Sequence, residues 1–292
     1  MNNPALLRRF NDTPALVGHQ ALPPLFALLL RTGAWMGLVL LAACAAPYPD
    51  ALDTTAHEEG EAAVPTTRAA AEMTPALRRA THQLLQTPPG GTAWKPWPMP
   101  AKRFAAFEPV LAWGQPAIRV KANRSVSILR QRYAEGLEGV GRLSFSWRID
   151  GLAVGADLTT AEADDSPTRI VLAFDGDRSR LSPRMHRLSD MSRLLTGEDL
   201  PYATLAYVWS NTDAPGTIMV NPRSDRIRKI VVESGASNLG RWIAYERDVD
   251  ADFRAAFGEA PGPLMAVALM TDTDNTRARL QAWYGPLTLQ LR

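Results

Sequence analysis

The segment Ala266 to Leu289, AVALMTDTDNTRARLQAWYGPLTL, reads as strand, polar loop and strand. Ala266 to Met270 is an apolar run of strand length. Asp272, Asp274 and Asn275 sit in the connection, and Trp283 and Tyr284 lie in the run that leaves it. Working outward, Arg142 to Ile149 (RLSFSWRI) sets the period. Leu143, Phe145, Trp147 and Ile149 alternate with Arg142, Ser144, Ser146 and Arg148, the pattern of a strand with one buried face. Similar runs recur at Ala117–Lys121, Ser125–Leu129, Arg169–Phe174, Thr204–Trp209, Ile227–Glu233, Arg241–Arg247, Leu264–Met270 and Leu280–Leu291. About nine strands with few helical interruptions predict a mainly β fold, an antiparallel β-sandwich of jelly-roll-like course, rather than a βαβ fold. Two short helical inserts interrupt it. Ser182–Leu195 repeats Met185, Leu188, Met191, Leu194 and Leu195 at helical spacing, and Val249–Phe257 is stopped by Gly258.

Ahead of this domain, residues 101–292, the chain changes character twice. Residues 1–44 read as a signal peptide with a lipobox-like end: Gly37–Cys44 (GLVLLAAC) follows Arg31, and Ala42 and Ala43 precede the single cysteine. In this reading Cys44 is lipidated and becomes the mature N-terminus, anchored in a membrane of the bacterial envelope and facing the periplasm. Ala45 after the cysteine favours the outer over the inner membrane, and an uncleaved or conventionally cleaved signal is the alternative. Residues 45–100 are rich in Ala, Thr, Pro and Glu and read as a flexible tether. A short helix is expected over Pro75–Leu85, capped by Thr74, with Trp94 and Trp97 marking where the chain docks onto the domain.

Three of the 32 basic and one of the 30 acidic residues precede Cys44, so the remainder is neutral and offers no electrostatic footprint for nucleic acid. Beyond Cys44 the only histidines are His57, His82 and His186. There is no Gly-rich phosphate loop, no zinc-type His and Cys cluster and no GxSxG elbow. Carboxylate chemistry or binding remains.

Acidic residues gather at strand ends: Asp164 and Asp165, Asp175 and Asp177, Asp272 and Asp274. No cofactor is expected apart from calcium, which takes six to eight oxygens; Asp272, Asp274 and Asn275 are a fragment of such a set, and turn formation by the same residues competes with that reading. Asp175 or Glu233 beside them would strengthen the site. Glu233 and Glu246 are the candidate acid and nucleophile of a glycosidase, against the competing reading of cross-strand salt bridges for Glu246 and Asp248. Among Trp209, Trp242, Tyr245, Trp283 and Tyr284, one or two are expected at the surface near the 272–275 loop, where an aromatic face stacks on sugar rings. The ligand-binding set expected is therefore Asp272, Asp274, Asn275, Asp175, Trp209, Trp283 and Tyr284.

The segments LSFSWRIDG (Leu143–Gly151), DDSPTRIVLAFDG (Asp164–Gly176), LAYVWSN (Leu205–Asn211), IVVESG (Ile230–Gly235), GRWIAYERDV (Gly240–Val249), AFGEAPGP (Ala256–Pro263) and ALMTDTDNT together resemble the bacterial family called Domain of Unknown Function 3047, from about Phe104 to the C-terminus. The resemblance implies an envelope-associated β-sandwich without an assigned reaction. Arg277 and Arg279 depart from the smaller or less basic residues expected after the DNT loop. The leading expectation is an envelope-anchored protein that binds a glycan or another envelope polymer without catalysis. The alternatives are a carboxylate-dependent carbohydrate-active enzyme of hydrolase or lyase type, and a structural interaction module.

Overall fold

The computed structural model describes residues 71–292; Cys44 and the signal reading lie outside them. A mainly β fold is found, with thirteen strands in two sheets. The strands are β1 (Leu85–Gln86), β2 (Lys95–Pro96), β3 (Phe107–Ala112), β4 (Gln115–Asn123), β5 (Val126–Leu137), β6 (Val140–Ile149), β7 (Ser166–Phe174), β8 (Ala203–Ser210), β9 (Ile218–Asn221), β10 (Ser224–Ser234), β11 (Ile243–Asp248), β12 (Leu264–Asp272) and β13 (Arg279–Leu291). The first sheet runs β11-β6-β13-β4-β3, with β1 against β13; the second runs β2-β5-β12-β7-β8-β10-β9. The chain changes sheet at β1–β2, β2–β3, β4–β5, β5–β6, β6–β7, β10–β11, β11–β12 and β12–β13, the interleaving of a jelly-roll-like sandwich. The pairing is not wholly antiparallel: β10 runs parallel to β8, because β9 and its turn intervene between them.

The opening segment supplies the central strand of each sheet. β12 lies between β5 and β7, and β13 between β6 and β4. Their connection packs beside the other sheet-crossing turn, with Thr273 donating its amide to Ser125 O at 3.0 Å and Arg124 to Ala278 O at 3.0 Å. Across the interior the Tyr284 hydroxyl donates to Met270 O at 2.6 Å and lies 2.7 Å from Thr271 Oγ1, so β13 is bonded to β12 through the core. Around this tie the inward residues of β6 meet those of β8. Phe145 stacks on Tyr207 at 5.8 Å and Trp147 lies 6.5 Å from Trp209, all fully or almost fully buried. Burying a ring of Phe size contributes roughly 1.5–3 kcal/mol.

Helices α1 (Pro75–Leu84), α2 (Pro183–Thr196) and α3 (Val249–Phe257) cover the edges. α1 is capped by Thr74 as expected, but the region after it is no tether. Leu77 and Leu84 are buried, β1 pairs with β13, Trp94 is in the core, and Pro96, the first residue of PWPMP, ends the two-residue edge strand β2, where proline costs no ladder bond. The folded domain therefore takes in residues 75–100. α2 packs only through its first half: Met185 is buried, whereas Leu194 and Leu195 are exposed, because the helix leaves the sheet as it ends at Gly197.

The long 150–165 loop is pinned to the outside of the second sheet by buried charge. Lys229 Nζ donates to Asp164 Oδ1 and Leu158 O, both at 2.7 Å, and Arg169 and Asn221 also donate to Asp164. Burial raises the Asp164 carboxyl, but Arg169 and Lys229 outweigh it and hold the group below its ordinary value; burial and Arg169 pull Lys229 down to about 8. Tyr284→Phe should lower stability by about 1–3 kcal/mol, by leaving Met270 O and Thr271 without their partner. The urea midpoint measures this; an unchanged midpoint removes the inter-sheet tie from the account.

Candidate functional site

The antiparallel pairing of β12 with β7 sets Asp272 against Ser166, and so brings Asp165 into the loop that follows β12. Asp165, Asp272 and Asp274 place a carboxylate oxygen each within 4.8 Å of one another. Asp165 accepts from the amides of Asn275 and Thr276 and from Thr276 Oγ1. Asp274 is bonded to Lys102, and Asp272 Oδ2 is 3.7 Å from Arg169. Burial pushes the Asp272 carboxyl well above the ordinary range; Arg169 pulls it back in part, while Asp165 and Asp274 add to the rise. Its Oδ1 has no hydrogen-bond partner. Three such carboxylates are oxygen donors of the kind a hard cation takes. The set differs from the expected one, since Asp165 is its third carboxylate and the Asn275 amide donates to Ala161 O.

Neither Asp175 nor Glu233 joins this cluster. Asp175 follows the far end of β7, ten residues and roughly 33 Å along the strand from Asp165, and faces Arg178. Glu233 accepts from the Tyr245 hydroxyl at 2.7 Å and from Asn238. The proposed pairing of Glu233 with Glu246 also fails on geometry. Tyr245 points inward, against Phe145 and Trp147, so its neighbour Glu246 projects from the opposite face of the first sheet, where it pairs with Arg142 at 2.9 Å. Trp209 and Tyr284 are core residues at 0% and 1% exposure, and neither presents a ring to a ligand. Both sit on inward positions of central strands, as the two-residue period requires.

Trp283 points to the outer side of the first sheet but is buried too, at 6% exposure, against Ala112, Ala117 and the Trp113 ring, so it presents no face of its own to a ligand. Register places it opposite Arg148 of β6 on one side and Arg119 of β4 on the other, with Glu108 of β3 beyond. Trp242 precedes Ile243, which pairs with Trp147, and so extends the row past Arg148. A cross-strand line results on the outer face of the first sheet: Trp242, Arg148, Trp283, Arg119, Glu108. Gly285 leaves room for it, since a Cβ there would meet Ser146 Oγ at 2.3 Å and the Trp242 ring at 3.1 Å.

Over this line stands Trp113, at the tip of the β3–β4 hairpin. Ala112 pairs with Gln115, and the two residues between them, Trp113 and Gly114, have φ of 51° and 77°. Such two-residue turns favour Asn, Asp or Gly at both positions. A left-handed conformation costs a bulky residue about 1–2 kcal/mol. The Trp113 ring meets Trp283 edge-on at 5.2 Å, and the Arg148 guanidinium lies 3.4 Å from its centroid, yet the residue is 58% exposed. The N–H groups of Arg119 Nε, Arg148 Nε and Trp242 Nε1 have no hydrogen-bond partner. Trp113 and Arg148 carried no signal in the sequence as site residues. A Trp-Gly turn does not resemble the usual hairpin turn, and Arg148 read only as the polar half of an alternating strand.

The fold and this face define a β-sandwich domain with an exposed tryptophan and arginine surface. The chain belongs to the family described as Protein of unknown function (DUF3047), whose model matches residues 92–288. No curated protein matches the chain. Among solved structures, a family 29 carbohydrate-binding module complexed with mannohexaose is 10% identical, covering 69% of this chain and 82% of its own, at a TM-score of 0.29. The xyloglucanase domain of NopAA, a type three effector from Sinorhizobium fredii, in complex with cellobiose, is 9% identical over 70% of this chain and 97% of its own, at 0.35. TmCBM61 in complex with beta-1,4-galactotriose is 11% identical over 69% and 90%, at 0.31. Likenesses this weak carry no weight for this chain.

The carboxylate cluster makes its own prediction. A carboxyl whose pKa is raised by folding contributes its full stability below the unfolded value and loses it as pH rises through the folded value. The melting temperature of the wild type, relative to Asp272→Asn, should therefore fall from about pH 4 to pH 8. A pH-independent difference contradicts the assignment, and a calcium-induced rise confined to the wild type assigns the cluster to a cation.

Proposed function

We propose that the protein binds a glycan, without catalysis, on the outer face of its first sheet. The observation that carries this is Trp113, a large ring held at a hairpin tip in a conformation unfavourable to it, braced from below and open to solvent. An indole so placed offers a flat apolar surface to the C–H face of a sugar ring. The side chains in the row beneath it, Arg119, Arg148 and Trp242, all carry N–H donors, which suits a ligand rich in acceptor oxygens such as hydroxyls and ring oxygens.

The absence of a role for Glu233 and Glu246 as a facing pair supports binding over glycoside cleavage. The Trp113 face commits the reading to a ligand, which a purely structural module would not need. With the lipobox-like end at Cys44, we place the domain in the bacterial envelope, anchored by lipid and facing the periplasm, with an envelope polymer as the natural ligand. Trp113→Ala should weaken binding to the polymer that the wild type binds best by at least about 2 kcal/mol, the loss expected of a central aromatic contact. Calorimetry checks this, with Leu194→Ala, on the exposed end of α2, as the control expected to bind normally. Unchanged affinity in Trp113→Ala contradicts the reading.

A further inference from the structure

We propose that the sugar recognised on this face is carboxylated, a uronic acid or another acidic sugar, with the Arg148 guanidinium as the group that holds the carboxylate. The inference rests on the glycan-binding reading of the same site and adds the chemical class of the ligand.

The case is one of charge accounting on a single sheet face. Glu108, Glu246, Asp248 and Asp150 are its carboxylates; the first three are ion-paired, Asp248 with Arg292, and Asp150 meets only the neutral Gln281. Glu108 pairs with Arg119 at 2.6 Å, Glu246 pairs with Arg142 at 2.9 Å, and Asp150 accepts from the amide and side chain of Gln281 at 2.6 and 3.1 Å. Arg148 has no ion pair or hydrogen bond to protein among the described residues. Lys121, two residues from Arg119 along β4 and outward-facing like it, has no ion pair among them either. Arg148 and Lys121 lack an ion pair and Asp150 is the one carboxylate of the row without one, so the centre of the face keeps a net positive charge.

Arg148 is also positioned for the task. It is half-buried between Trp113 and the row of the sheet, and a guanidinium stacked on an indole keeps its in-plane N–H fork available for a carboxylate. Burial pulls its pKa below the ordinary value, with Asp150 opposing, so the guanidinium is partly desolvated before any ligand arrives. A planar acid on the sugar bound at Trp113 meets a cation already stripped of part of its water and fixed by aromatic packing.

The test compares acidic polymers, namely polygalacturonate, alginate and hyaluronan, with neutral ones, namely xyloglucan, galactomannan and β-1,4-galactan, by calorimetry on the wild type, Arg148→Gln, Arg148→Lys and Trp113→Ala. The wild type is expected to bind at least one acidic polymer about tenfold more tightly than any neutral one. Arg148→Gln should lose about tenfold or more on the acidic polymer and clearly less on neutral ones, where it costs only the support of Trp113, and Arg148→Lys should lose less than Arg148→Gln on the acidic polymer. Trp113→Ala should weaken both classes. Equal or tighter binding of neutral polymers by the wild type, or an Arg148→Gln loss of equal size on both classes, overturns the acidic ligand and leaves the glycan reading standing. No binding of any polymer by the wild type, or no effect of Trp113→Ala on any of them, overturns the glycan reading and this inference with it.

Discussion

The hydroxyl of Tyr284, bonded through the interior to Met270 O and Thr271, fixes the register on which the rest of the molecule depends. It joins the central strands of the two sheets across the connection that links them in sequence. Because side chains alternate along a strand, an inward Tyr284 compels an outward Trp283. A slip of one residue would bury Trp283 and expose Tyr284, and would remove the line Trp242, Arg148, Trp283 and Arg119 from the outer face. The inter-sheet tie and the surface row are thus two sides of one backbone decision.

The two candidate sites differ in how their costs are met. At Asp165, Asp272 and Asp274 the repulsion is local, and nearby Arg169 and Lys102 offset much of it. At the outer face Arg148 has no ion pair among the described residues, only the field of Asp150 beside it, and Trp113 is held in a left-handed turn by its contacts with Trp283 and Arg148. A strained aromatic left open to solvent in a folded domain points to a ligand more strongly than a carboxylate cluster that the fold has partly neutralised with its own cations.

Much of the fold was legible in the sequence. The alternation in Arg142–Ile149, the Gly258 stop and the Thr74 cap each report a local rule, and each appears as expected. Partnerships that depend on register or direction were not legible. Asp175 was the expected neighbour of Asp272, and only the antiparallel pairing of β7 with β12, which sets Ser166 against Asp272, brings Asp165 there instead. Glu233 and Glu246 looked like neighbours until Tyr245 was seen to point inward. The Pro-rich run at 96–100 reads as a tether by composition, although an edge strand accepts proline equally well. Trp113 was missed because its turn breaks the rule by which such turns are recognised, and that breach is what marks it as a site.

The most direct test of the central claim is an NMR titration of the protein with oligogalacturonate, following the indole N–H resonances. Those of Trp113, Trp242 and Trp283 are predicted to shift together on saturation, while those of the buried Trp147 and Trp209 stay in place. Shifts confined to the amides of residues 272–276, or no indole shift at a concentration that saturates binding, would contradict the placement of the ligand on the outer face of the first sheet.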